Sequence, residues 1–141
     1  MKSLVMPVLN ADPINHAYHF LAGNRRMLPV AVWATIVAGF GEETLFRGYM
    51  FERLGKIIGT GLAGKLLTVA ITSTLFGLAH LNSQGITGVE QAAITGLIFG
   101  SIFAATGTIW FLMFAHASFD LTALVLIYNN LETDVAHLFL K

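Results

Sequence analysis

Cysteine is absent from this 141-residue chain, which excludes disulfides and Cys-ligated metal sites and leaves the redox compartment unreadable. Charge is scarce. Eight basic and eight acidic residues make up 11 % of the chain, against roughly 25 % in a soluble domain. The two signs cancel, which argues against a nucleic-acid surface, so no nucleic acid is expected as a partner. No stretch alternates as strands do, and there is no internal repeat. The opening segment, MKSLVMPVLNADP, has one Lys and an apolar run broken by Pro7. It is short for a signal peptide, and no convincing small-residue cleavage site follows. Apolar residues, in contrast, are plentiful: 55 % of the chain, with a mean hydropathy of +0.71. So little polar surface cannot face water on all sides, and a lipid bilayer is the expected solvent.

Four apolar spans follow one another. The first opens at Leu28-Pro29, with Pro in the opening turn, where its missing N–H costs little. It runs through VAVWATIVAGFGEETLFRGYMFERLGKII to a break at GTGLAG, Gly59 to Gly64. The second is Leu66 to Leu81, followed by the polar stretch NSQGITGVE, which reads as a loop. The third is Gln91 to Ala105; TGT turns the chain, and the fourth is Ile109 to Tyr128. Each approaches the ~20 residues a helix needs to cross hydrocarbon. A water-facing bundle would need polar stripes that these spans lack. They are rich in small residues (Gly39, Gly77, Gly96, Gly100, Ala104), as close-packed membrane helices are. The expected fold is all-α: a polytopic bundle of about four transmembrane helices, with residues 1–27 a polar N-terminal leader, 28–130 the transmembrane core and 131–141 a C-terminal tail. Orientation is undecided, because Arg53, Lys56 and Lys65 on one side balance Lys2, Arg25 and Arg26 on the other.

The polar groups inside these spans carry the information. They are Glu42, Glu43, Arg47, His80, His116 and Asp120. An ionisable group in a membrane span costs at least ~2.5 kcal/mol and usually faces the bundle interior. Glu43 and Arg47 are spaced i,i+4 and share a helix face, which predicts a structural salt bridge. Glu42 lies roughly 100° around the helix from Glu43 and needs a different partner. A depth ruler indicates where to look. With Lys56 and Lys65 as anchors at one membrane surface, Glu42 lies ~21 Å and His80 ~22 Å from that surface at 1.5 Å per residue. His116 and Asp120 lie ~12 and ~18 Å past Thr108 on the same ruler. Three segments thus bring their deep ionisable groups to similar depth, and one shared site is the economical reading.

Within that site Phe76 and His80 are i,i+4, as are His116 and Asp120, so each pair points to one side of its helix. Asp120 would hold His116 in one tautomer. A carboxylate in low dielectric is a usable base near neutral pH. A neighbouring His shares the proton and fixes a water, and a second His donates to a developing oxyanion. No Ser or Thr stands clearly beside a base as a nucleophile, so water-activated hydrolysis of an amide bond fits better than covalent catalysis.

The motifs EETLFR (EExxxR), FGLAH (FxxxH) and HASFD (HxxxD/N), in that order, resemble those of the CPBP family of intramembrane proteases. That family groups type II CAAX prenyl proteases with bacteriocin-processing and self-immunity (Abi) proteins. The resemblance covers roughly Val30 to Tyr128, and it implies an all-helical membrane protein with its active site sunk below the surface. Carried over, Glu42 and His80 activate the hydrolytic water, and His116 with Asp120 stabilises the oxyanion. Glu43, Arg47 and Phe76 support them. Asp120 stands where the prenyl-protease branch has Asn; an ionised Asp cannot donate, so it is either protonated or orients His116. The resemblance admits a metal-free, glutamate-dependent mechanism, the preferred reading, and a metalloprotease in which Glu42, His80 and His116 ligate Zn²⁺.

The implied partners are a peptide or protein substrate, with prenylated C-terminal peptides and bacteriocin leaders as candidates, and the lipids of a bacterial or archaeal cell membrane. Family members carry further transmembrane helices before the EExxxR helix, whereas the segment preceding it here is too polar to span. The chain therefore reads as a short core, as one that dimerises to cover a flank, or as a degenerate member. Two other classes compete with the protease: a catalytically silent scaffold or immunity protein, and a proton-relay bundle. His16, His19 and His137 read as surface residues, Trp33 and Trp110 as packing or interface residues, and FERLGKII as an interfacial anchor.

Overall fold

The structure, a computed structural model, describes residue 12 and residues 14–139. Among the described residues there are no strands. A short 3-10 helix (His16–Leu21) precedes α1 (Leu28–Glu43), a wider π-helical stretch (Thr44–Met50) and α2 (Phe51–Ile58). Then come α3 (Leu62–Ala79), α4 (Leu81–Thr106), α5 (Ile109–Tyr128) and α6 (Glu132–Phe139). The fold is all-α, as the unbroken apolar spans require. Among the described residues three helices, α3, α4 and α5, are long and apolar enough to cross a membrane. The first expected span is divided: α1 has 16 residues, and the π-helical stretch joins it to α2 with Glu43, Met50 and Phe51 all right-handed helical.

The expected loop at 82–90 is helical instead. His80 closes α3 at φ −88°, ψ −6°, close enough to helical for Gln84 N–H to donate to its carbonyl at 2.9 Å. α4 therefore begins at once, and its polar residues Asn82 and Ser83 are exposed. The interruption is confined to Gly85, whose φ of 66° is open to glycine at little cost. At the α2–α3 turn the close approach is steric. A Cβ on Gly64 would lie 2.1 Å from the carbonyl oxygen of Gly59, so only glycine permits this turn.

The chain forms two compact units, Met1–Val37 with Ala117–Lys141, and Ala38–His116. In the second, α3 and α4 pack antiparallel along a seam of small residues. A Cβ on Gly77 would lie 3.1 Å from Ala93 Cβ, one on Gly96 3.0 Å from Ser73 Cα, and one on Gly100 3.4 Å from Val69 Cγ1. The residue numbers in these pairs sum to a nearly constant value, the signature of antiparallel register. Backbones come close because small residues leave room, which is how helices associate where lipid supplies no hydrophobic drive. Large apolar side chains point outward instead, among them Leu62, Leu66, Trp110, Phe111 and Phe114.

In the first unit, Leu21, Leu124 and Ile127 form a small core joined by Tyr18, Leu28 and Leu121. Glu132, at the start of α6, is buried and accepts the backbone N–H of Asn15 at 2.7 Å. Of the expected tail, Glu132–Phe139 is thus helical, and Glu132 ties its start to Asn15. His16 pairs with Asp12 at 2.7 Å on the surface, His19 is 4.0 Å from Glu132, and His137 is exposed.

Candidate active site

The site lies in the second unit. Glu42 and Glu43 end α1, Arg47 stands in the π-helical stretch, Phe76 and His80 close α3, and His116 is carried by α5. The Glu43–Arg47 salt bridge forms as the spacing predicts, Nη1 to Oε1 at 3.0 Å, with the two residues 0 % and 1 % exposed. Arg47 also donates through Nη2 to the carbonyl of Gly96 on α4 at 3.2 Å. Its guanidinium carbon lies 4.9 Å from the ring centre of Phe76 and 5.8 Å from that of Phe99. A buried ion pair recovers its desolvation cost only with good geometry and further hydrogen bonds; this pair has them on Glu43 Oε1 and Arg47 Nη2, while Glu43 Oε2 and Arg47 Nε have no partner among the described residues.

Glu43 serves a second partner. His116 Nδ1 lies 2.8 Å from the same Oε1. A carboxylate accepts, so the ring donates its Nδ1–H there. The other ring nitrogen, Nε2, lies 3.7 Å from Glu42 Oε2. The two adjacent carboxylates therefore flank one imidazole from opposite ends. The Glu43 carboxylate is sealed, whereas the Glu42 side chain is one-third exposed.

His80 joins through Phe76 and its own backbone. Its Nδ1 is 2.8 Å from the carbonyl of Phe76, which can only accept. The proton is therefore on Nδ1, and a neutral His80 presents the lone pair of Nε2. The ring of Phe76, 2 % exposed, meets His80 at 4.8 Å and His116 at 6.0 Å between centres, both edge-on. Phe76 is the wall between the two imidazoles. Asp120 lies one turn beyond His116 along α5, is half-buried, and belongs to the first unit.

Depth gathered Glu42, His80 and His116 into one site, and within it the Glu42 carboxylate lies beside His116. Rotation of α5 about its axis decides which ring faces which acid, and spacing along one helix carries no record of it. Among the described residues no three His, Cys, Asp or Glu are grouped to hold a metal. In both imidazoles Nδ1 is hydrogen-bonded, to Glu43 in His116 and to the Phe76 carbonyl in His80, which leaves Nε2 as the nitrogen turned to chemistry. Phe99, edge-on to His116 at 5.7 Å, and the Gly96 carbonyl were missed as site residues. Their signal was weak: Gly96 stood out only as a small residue, and Phe99 lies i+3 from it. A cavity of about 480 Å³ in this unit lies away from these groups, bordered by Phe51, Glu52, Lys65, Thr68, Phe103 and Thr106.

Comparison with known proteins agrees with the motifs. Residues 24–122 match the family described as type II CAAX prenyl endopeptidase Rce1-like. The chain is also 24 % identical over 106 residues to an uncharacterized protein of Mycoplasma capricolum subsp. capricolum. That match covers 74 % of this chain and 29 % of the relative, so the chain spans under a third of the relative's length. No solved structure matches. With a family match over most of its length and three helices fit to cross a bilayer, this membrane protein belongs to the type II CAAX prenyl endopeptidase Rce1-like family.

Proposed function

We propose that the chain is an intramembrane endopeptidase in which Glu42 activates a water for attack on a peptide carbonyl. The observation that carries this reading is the 3.7 Å gap between Glu42 Oε2 and His116 Nε2. It pairs an accessible acid with a ring whose far side is locked by a buried one. Water beside Glu42 gives a proton to its carboxylate, with the Nε2 lone pair of His80 sharing that proton, and the oxygen adds to the carbonyl carbon. His116, when it carries both ring protons, donates from Nε2 to the oxyanion while Glu43 holds Nδ1. Collapse of the tetrahedral intermediate breaks the C–N bond, and the proton passes to the leaving amine. Asp120, spaced i,i+4 from His116, either orients that ring or donates to the oxyanion in its protonated form. Glu43, Arg47 and Phe76 are supporting residues, and the reaction runs without a metal.

The substrate class that family membership favours is a peptide cut near its C-terminus, a prenylated one included; a leader peptide is the other candidate. The test is to incubate purified protein with a peptide library, with and without a chelator, and to read products by mass spectrometry. Cleavage that survives the chelator and disappears in Glu42→Gln is the expected result. Cleavage lost on chelation and restored by zinc would replace this mechanism with the metal one. No cleavage by either protein would favour a scaffold, or a proton relay if liposome flux depends on Glu42.

A further inference from the structure

The cavity of about 480 Å³ in the second unit takes no part in the chemistry above. Its volume is within the roughly 300–1,000 Å³ of small-molecule sites. Its walls come from three helices: Phe51 and Glu52 on α2, Lys65 and Thr68 on α3, Phe103 and Ala105 on α4. The two phenylalanines meet edge-on, 5.0 Å between ring centres, and form an apolar wall. The long helices fix its level. α3 begins at Leu62, α4 ends at Thr106 and α5 begins at Ile109, so each helix able to cross a membrane has an end here. Such ends lie where hydrocarbon gives way to headgroups. Ile57, Leu62 and Leu66, in the same segments, expose large apolar side chains.

Charge indicates what fits. Glu52 is already paired, with Lys56 and, at 3.7 Å, with Arg53. Lys65 meets no acid among the described residues. Its ammonium donates to the Ala104 carbonyl at 2.7 Å, and an ammonium has three such protons. Between Phe51 and Thr68 the cations Arg53, Lys56 and Lys65 stand against the single acid Glu52. Basic clusters at this level attract anionic lipid. A free anion would satisfy Lys65 and leave the aromatic wall bare, and an uncharged chain would do the reverse. An anionic phospholipid satisfies both. We infer that this cavity binds the phosphodiester of an anionic phospholipid at Lys65, with the glycerol and first methylenes against Phe51 and Phe103. The site is distinct from the one that would cleave peptides, and it does not depend on that reading.

The test is Tm of the full chain in neutral detergent, with added dioleoyl phosphatidylglycerol, dioleoyl phosphatidylcholine or inorganic phosphate. A ligand that binds only the folded protein raises Tm. Phosphatidylglycerol should raise it by several degrees, and the other two by little. Lys65→Gln keeps a donor for the Ala104 carbonyl but removes the charge, and should abolish the preference for phosphatidylglycerol. Ala105→Glu, at an exposed position on the cavity wall, adds an acid and removes no contact. It should abolish the same preference with Tm in detergent alone near wild type, and it decides the matter if Lys65→Gln does not fold. Arg26→Gln, in the first unit, removes a positive charge elsewhere and should keep the preference. Equal stabilisation by the two lipids overturns the inference, as does a preference retained in either cavity variant or lost equally in Arg26→Gln. Inorganic phosphate matching phosphatidylglycerol would make this a phosphate site and overturn the lipid.

Discussion

The same helical run holds two acid–base pairs at i,i+4 spacing, and they teach different lessons. Glu43–Arg47 is sealed, shares its carboxylate with His116, and leans on Gly96, Phe76 and Phe99. Glu52–Lys56, two and a half turns on, is half exposed on the acid and more so on the base, with Arg53 nearby. Spacing made both pairs; burial decides which one matters. In water-like surroundings a pair gains little, because solvent competes for each charge. Out of water, each partner becomes the condition for burying the other.

The largest effect should come from breaking the sealed pair. Arg47→Ala leaves the Glu43 carboxylate buried without its guanidinium, a change that costs about 3–5 kcal/mol in comparable buried pairs. Denaturation in detergent should show it as a large fall in Tm or loss of folded protein. His116→Ala should cost less stability than Arg47→Ala, because Glu43 keeps its cation, while cleavage falls by about 100-fold or more, as when an oxyanion donor is removed. Equal unfolding by both would show that the division into reacting and supporting residues is wrong. The smallest effect belongs to the exposed pair: Lys56→Ala should leave both Tm and cleavage unchanged, and a clear loss of either would mean that α2 is buried against something in the membrane.

How far the sequence foretold this site follows from the range of each interaction. Glu43–Arg47 and Phe76–His80 were legible because both partners lie on one helix, where i,i+4 spacing alone brings side chains together. The gathering of Glu42 and His116 was legible at coarser grain, from depth along separate helices. That His116 turns Nδ1 to Glu43 was not legible, since it depends on how α5 is rotated toward α1. The π-helical stretch was hidden for a related reason: an extra residue per turn is set by packing, and TLFRGYM has no composition that announces it. Polarity at 82–90 misled because polar residues at a helix start satisfy themselves in water as readily as in a loop.

The most direct measurement sets the two adjacent acids against each other. Glu42→Gln and Glu43→Gln differ by one position, and each keeps the shape of the side chain. Rate of peptide cleavage and Tm should be read on the same preparations. Glu42→Gln is predicted to stop cleavage with Tm unchanged, and Glu43→Gln to lower Tm sharply. Cleavage at the wild-type rate by Glu42→Gln, in folded protein, would contradict the account.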